Sequence, residues 1–281
     1  MDQSPELDAQ RANYFQGLIG VLRWIIELGR IDIMVAVSML SRYLANPRVG
    51  HLEETLHIFA YLKCHERRAV VFDYTTPKFD RSRFTECDWS EFYPNAKEEE
   101  PPNAPELRGR EVHMMCFVDA DNAGCRETRQ SHTSIIIYVQ LTPVIWYSKR
   151  QNMVESSTFG LKTAVKQVEV LWYKLRMMGV PVDGPTNVFC DTLKKKHNAI
   201  AYHQTCEAIA AGIIHVAWED GQLNLADVLT KLMPGPKLRG LGLLHRTAYG
   251  VCFISLIGQE MSYAALLSPQ QCVCVSIYLN F

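Results

Sequence analysis

Apolar residues along this chain change their spacing twice, and the changes divide it into stretches of different kind. Near the N-terminus Leu18, Ile19, Leu22, Ile25 and Ile26 recur at intervals of three and four, which predicts a helix with one buried stripe. Gly29 and Arg30 mark its end. A second helix is expected over 32–44, stopped by Asn46 and Pro47, and a third carries Leu52, Leu56, Phe59 and Leu62. "RRAVVFDY" follows as a short strand. Residues 1–75 are thus expected to form a small helical unit.

From 76 to 110 the pattern lapses. "NAKEEEPPNAPELRGR" sets a run of glutamates against closely spaced prolines, which suits neither helix nor strand and predicts a solvated linker. Between 111 and 235 strand-like and helix-like spacings alternate. Strands are expected over 112–118, 134–139 and 144–148. A helix follows with Leu161, Ala164, Val165, Val168, Leu171, Trp172 and Leu175 on one face. Next come a strand "NVFCD" ending in Asp191, a helix over 198–211, a strand "IIHVAWE", and a short helix over 225–232 before "PGP". That order predicts an α/β fold, a mixed sheet flanked by helices. Residues 236–281 hold apolar runs without a helical period. None reaches the roughly 18–20 residues that a membrane span needs, so no membrane partner is expected and the segment stays unassigned.

Composition narrows the classes. The chain has 281 residues, 48% of them hydrophobic, enough for a sizeable core. A net charge of -1 excludes a surface that grips nucleic acid all over, while leaving local basic patches open. The nine cysteines are scattered, and no two form a C-x-x-C pair. Reduced thiols are expected, several of them in the core, in a cytoplasmic or nuclear protein. The polar, acidic "MDQSPELDAQ" does not have the form of a secretory signal.

The candidate chemistry lies in carboxylates. "EVHMMCFVDADNAG" ends an apolar strand in Asp119 and Asp121, and Asp191 ends a later one. If those strands are parallel neighbours, Asp119 and Asp191 emerge at one sheet edge, where α/β proteins place their sites. Asp227 opens the last short helix, in "NLADVLTK". Three converging acids repel one another unless a hard divalent cation such as Mg²⁺ joins them, and two such ions about 3.5–4 Å apart serve phosphodiester hydrolysis. A single Asp after a strand is more often a turn former, and Asp121 fits that role against "NAG". Lys194, Lys195 and Lys196, with His197, could meet a phosphate backbone or form a solvated loop. Lys149 and Arg150 are equally ambiguous. His203, Trp146, Tyr147 and Trp172 are expected to pack.

Taken together, "FVDADNAG", "SHTSIIIYVQ", "VIWYSKRQNMVESST", "FCD", "KKKHNAIAYH" and "NLADVLTKLMPGP" resemble the ribonuclease H domain of copia-type retrotransposon polyproteins. The helical "FQGLIGVLRWIIELGRIDIMVAVSMLSRYLANP" and "LHIFAYLK" resemble the end of the reverse transcriptase in the same polyproteins, without any polymerase signature. The resemblance spans about residues 4–236. It implies an RNase H fold that cuts the RNA strand of RNA–DNA hybrids with Mg²⁺ or Mn²⁺, beside other products of the polyprotein. Three of the family's four acids match Asp119, Asp191 and Asp227, as catalytic and metal-binding residues. The fourth should be a Glu in the first turn of the helix after "SST", where this chain has Lys162. At ~4 Å and an effective dielectric of ~20 a unit pair is worth roughly 4 kcal/mol, and a divalent ion doubles that, so a lysine there opposes what a glutamate would supply. Glu169, two turns on, and Glu155, before the serines, are poorly placed to substitute. After Asp191 the family's asparagine and a helix-length stretch are missing: Thr192 and Leu193 lead directly to Lys194. The expectation is a nuclease domain with a damaged site. The alternatives are a non-catalytic nucleic-acid-binding remnant or a decayed element without function.

Overall fold

A computed structural model describes residues 2–78, 84, 89–98, 100–121, 131–151, 157–191, 199–221, 223–230, 245 and 246, with 121, 157–159, 199, 245 and 246 described by backbone alone. Helix α1 (Ala9–Glu27) begins where the Asp8 carboxylate accepts from the Arg11 N–H at 2.8 Å, and it buries Phe15, Leu18, Ile19, Leu22, Ile25 and Ile26. It ends at Gly29, whose φ of 103° is open to glycine and strained for any residue with a Cβ. The expected second helix is broken into a 3-10 turn (Ile31–Ile33), α2 (Met34–Leu40) and a second 3-10 turn (Ser41–Tyr43). The Ser41 hydroxyl donates back to the Val37 carbonyl at 2.7 Å, an arrangement that bends helices.

Helix α3 (Val49–Cys64) exists as expected but presents a different face. His51, Thr55, Ile58 and Leu62 are buried, whereas Leu56 is 44% exposed. The polar pair can go inside because each group is satisfied locally. His51 stacks on Tyr43 with ring centroids 3.8 Å apart, its Nδ1 accepts from the Arg48 N–H, and Thr55 donates to the His51 carbonyl.

The main sheet contains β2 (Met114–Asp121), β3 (His132–Val139), β4 (Thr142–Arg150), β5 (Thr186–Cys190) and β6 (Ile214–Trp218), in spatial order 4-3-2-5-6. The β2–β3 and β3–β4 pairs are antiparallel, and β2–β5 and β5–β6 are parallel. This is the mixed sheet expected, flanked by helices α4 (Ser157–Met177) and α5 (Ala199–Ala210). Alternation along β2 sends Met114, Cys116 and Val118 to one face, under Leu161, Ala164, Val165, Val168 and Trp172 of α4. Met115 and Phe117 point to the other face, which Ile31 and Val35 of the N-terminal helical segment share with Ala226, Val228 and Leu229. Burial on both faces explains why Ile135, Ile136 and Ile137 are all fully enclosed in one run of β3.

The stretch expected as a solvated linker is largely exposed, and it is pinned to the sheet and helices at several points. Phe84 bridges to Ala217 on β6, Trp89 meets Tyr202, Glu98 takes the Arg176 guanidinium at 3.1 and 3.3 Å, and Arg108 N–H donates to Gly179 O at 2.7 Å. His203, expected to pack, is instead exposed, with its ring against the Tyr93 hydroxyl. Trp172 is buried as expected, and Trp146 and Tyr147 are partly buried against the cores. Cys116, Cys190 and Cys206 are buried thiols, and Cys64 is exposed. Of residues 236–281, His245 and Arg246 form β7, paired antiparallel with β1 (Arg68–Ala69), the short remnant of the "RRAVVFDY" strand. The other residues of that tail lie outside the described residues. No helix among the described residues is long and apolar enough to cross a membrane.

Candidate functional site

Strand pairing brings the acids to one edge. In the parallel β2–β5 ladder Val118 pairs with Cys190, so Asp119 and Asp191 follow on adjacent strands. Asp119 is 4% exposed and Asp191 half-buried. Asp227 lies in a 3-10 helix (Leu225–Leu229) that packs on β2 and β3, and its own side chain is buried.

Four side chains fasten that 3-10 helix to the sheet. Asn224 caps it by accepting from the Ala226 N–H at 3.0 Å, while its amide donates to the Val118 carbonyl at 2.8 Å, just before Asp119. The Ser134 hydroxyl donates to the Ala226 carbonyl at 2.7 Å, and Ser148 does the same to Leu229 at 2.7 Å. The Thr230 hydroxyl donates to Asp119 Oδ2. Asn224 could have been found from sequence as a cap before a short helix. The serines and Thr230 carry no spacing signal, because their partners are backbone groups and a side chain far along the chain.

Other expected participants stand apart. Helix α4 covers the face opposite Met115 and Phe117, and its first turn touches the sheet where Gly160 lies against Thr133, Val118 and Ala120. A Cβ at Gly160 would come within 3.2 Å of the Thr133 methyl, so the close approach favours glycine. No acid occupies that first turn, and Lys162, expected in it, lies half-buried in the second because the helix already begins at Ser157. Glu169 is exposed further along α4. Lys194, Lys195, Lys196, His197 and Glu155 lie outside the described residues, and Asp121 is described by backbone alone. Among the described residues no group of three or more His, Cys, Asp or Glu side chains could hold a metal ion. Asp119, Asp191 and Asp227 supply the oxygen donors that Mg²⁺ or Mn²⁺ prefers, but they do not close on a common point, so a cation seat is not formed by these residues as they stand.

Two features near this edge escape motif reading. Trp218, 56% exposed at the end of β6, donates its indole N–H to the Asp191 carbonyl at 3.0 Å, fixing the strand end that carries Asp191. His132 is buried on β3 with Nε2 2.6 Å from the Ser148 hydroxyl and no partner at Nδ1 among the described residues. Burial, with help from the Arg42 and Arg150 charges, holds its pKa down at about 4.

No protein-family model matches the chain. Curated relatives do. The retrovirus-related Pol polyprotein from transposon RE1 of Arabidopsis thaliana is 24% identical over 238 residues, 77% of this chain and 14% of that protein. The Pol polyprotein from transposon RE2 of the same plant is 25% identical over equal shares. The one from transposon TNT 1-94 of Nicotiana tabacum is 24% identical, over 79% of this chain and 15% of its own length. The chain therefore spans about one-seventh of the relatives it matches. A solved N-terminal RNase H domain from Mycobacterium tuberculosis, fused to maltose-binding protein, overlaps 46% of this chain and 99% of that one at 13% identity. Its TM-score is 0.30, and nothing below rests on that overlap. Over three-quarters of its length this chain is similar to retrovirus-related Pol polyproteins of plant transposons.

Proposed function

We propose that the chain is a piece of such a polyprotein in which an RNase H-like domain keeps its architecture and has lost effective cleavage of RNA–DNA hybrids. The division into a reverse transcriptase tail (1–75), a linker (76–110), the nuclease-like domain (111–235) and an apolar tail (236–281) belongs to the same proposal. So does a setting in the cytoplasm or nucleus. The observation that carries it is a contrast within one edge. Asp119 on β2 and Asp191 just past β5 follow the last pair of a parallel ladder, with Asp227 in the 3-10 helix, while the first turn of α4 holds no acid and Lys162 stands in its second turn. Magnesium or manganese would supply charge neutralisation at a hydrolytic site of this kind, and among the described residues no three carboxylates are grouped to hold it.

Incubating the full chain with a labelled RNA–DNA hybrid and Mg²⁺ or Mn²⁺ is expected to give no cleavage above background. Metal-dependent cutting of the RNA strand would overturn the reading. Lys162→Glu then separates two causes of damage. Regained cleavage assigns the loss to that lysine, whereas continued silence assigns it to the stretch missing after Asp191. A binding role without cleavage finds support in Trp218, an exposed aromatic anchored beside Asp191, since stacking on a base contributes about 1–3 kcal/mol. Salt-dependent retention of a hybrid that weakens on replacing Lys194, Lys195 and Lys196 would favour that role.

A further inference from the structure

We infer that Asp119 serves here as half of a buried clasp, with Thr230 as the other half, joining the 225–230 segment to β2. The inference rests on the impaired-site reading and says what the carboxylate does instead of seating a cation.

A five-residue 3-10 helix has weak internal hydrogen bonding and cannot define its own position. This one is placed by bonds from outside its backbone ladder: Asn224 to Val118, Ser134 to Ala226, Ser148 to Leu229, and Thr230 to Asp119. The first three join side chains to backbone carbonyls. The fourth joins a hydroxyl to a carboxylate, and charge-assisted bonds of that type are the stronger class. Asp119 is 4% exposed and Thr230 equally so, which leaves the pair little access to water. Strand alternation adds a second argument. Asp119 continues the face of Met115 and Phe117, where Ala226, Val228 and Leu229 pack, and α4 covers the opposite face. The carboxylate is thus turned towards the segment it fastens.

A cation seat and a clasp make opposite stability predictions. Crowded carboxylates awaiting a cation repel each other, so neutralising one raises stability, and added metal raises it further. A carboxylate that accepts a buried hydroxyl loses stability when it is removed.

The test is thermal unfolding of the full chain with excess Mg²⁺ and with chelator. Asp119→Ala and Thr230→Val are each expected to lower Tm by roughly 3–10 °C. The double variant should fall by less than the sum, since both remove the Asp119–Thr230 bond, while Thr230→Val alone also removes the hydroxyl's contact with the Asp227 carbonyl at 3.0 Å. Wild-type Tm should be the same with Mg²⁺ and with chelator. If Thr230→Val fails to fold, Thr230→Ser, which keeps the donor, should unfold near the wild-type temperature; an equally unfolded serine variant overturns the clasp. A raised Tm in Asp119→Ala also overturns it. Mg²⁺-dependent stabilisation without hybrid cleavage overturns the clasp alone, whereas cleavage that Asp119→Ala removes overturns both this inference and the impaired-site reading.

Discussion

His132 occupies a position where a charge would be costly. It is enclosed at the end of β3, and Arg42 reaches it from the N-terminal helical segment while Arg150 lies opposite on β4. Its folded pKa of about 4 lies below the ordinary 6.5, so between those values the unfolded chain binds more protons than the folded one. Stability from this group is complete above pH 6.5 and is lost as pH falls towards 4, a change of roughly 3 kcal/mol. Tm followed across that window should drop on acidification in the wild type and flatten in His132→Gln; an unchanged slope in the variant would rule the group out. Nothing in "SHTSIIIYVQ" announces this, because an alternating strand leaves open which polar residue ends up enclosed. The acids were easier to find. Asp119 and Asp191 each close an apolar run, which puts Asp191 just past β5 and Asp119 just past the parallel pairing, although β2 continues beside β3 to Asp121. What the run could not reveal is the partner of Asp119, since Thr230 lies 111 residues away and is chosen by packing.

Elements with a strong period were legible, and those without one were not. The stripe of α4 is buried as its spacing requires except for the partly buried Leu171, and Trp172 adds a polar tie, donating its indole N–H to the Thr186 hydroxyl at 2.8 Å across to β5. Thr186→Val keeps the volume and orphans that N–H, so a loss of about 1–3 kcal/mol is expected from denaturant titration, with Thr186→Ser recovering most of it. Equal loss in both variants would point to packing instead. In α3 the apolar residues alone misplace the buried face by one position, because His51 and Thr55 satisfy themselves internally and can be enclosed. The helix expected over 32–44 fails for a related reason: Ser41 bonds backwards, and β-branched residues crowd the stretch before it.

At the scale of the whole molecule, the sheet has two faces and two sources of cover. One face is closed by α4 and α5, the other in part by Ile31 and Val35 from a segment that sequence assigns to a different unit. Each such side chain contributes about 1.5–3 kcal/mol on full burial. A fragment of residues 111–235 should therefore unfold at lower denaturant than residues 2–235 and bind a hydrophobic dye; matching midpoints would mean the helices are dispensable. Phe84 has a consequence of its own. By pairing with Ala217 it occupies part of the outer margin of β6, where unpaired backbone groups would otherwise face outwards. Replacing Phe84 with proline, which removes its backbone donor, should therefore speed self-association of the folded chain if that margin is otherwise open to a further strand.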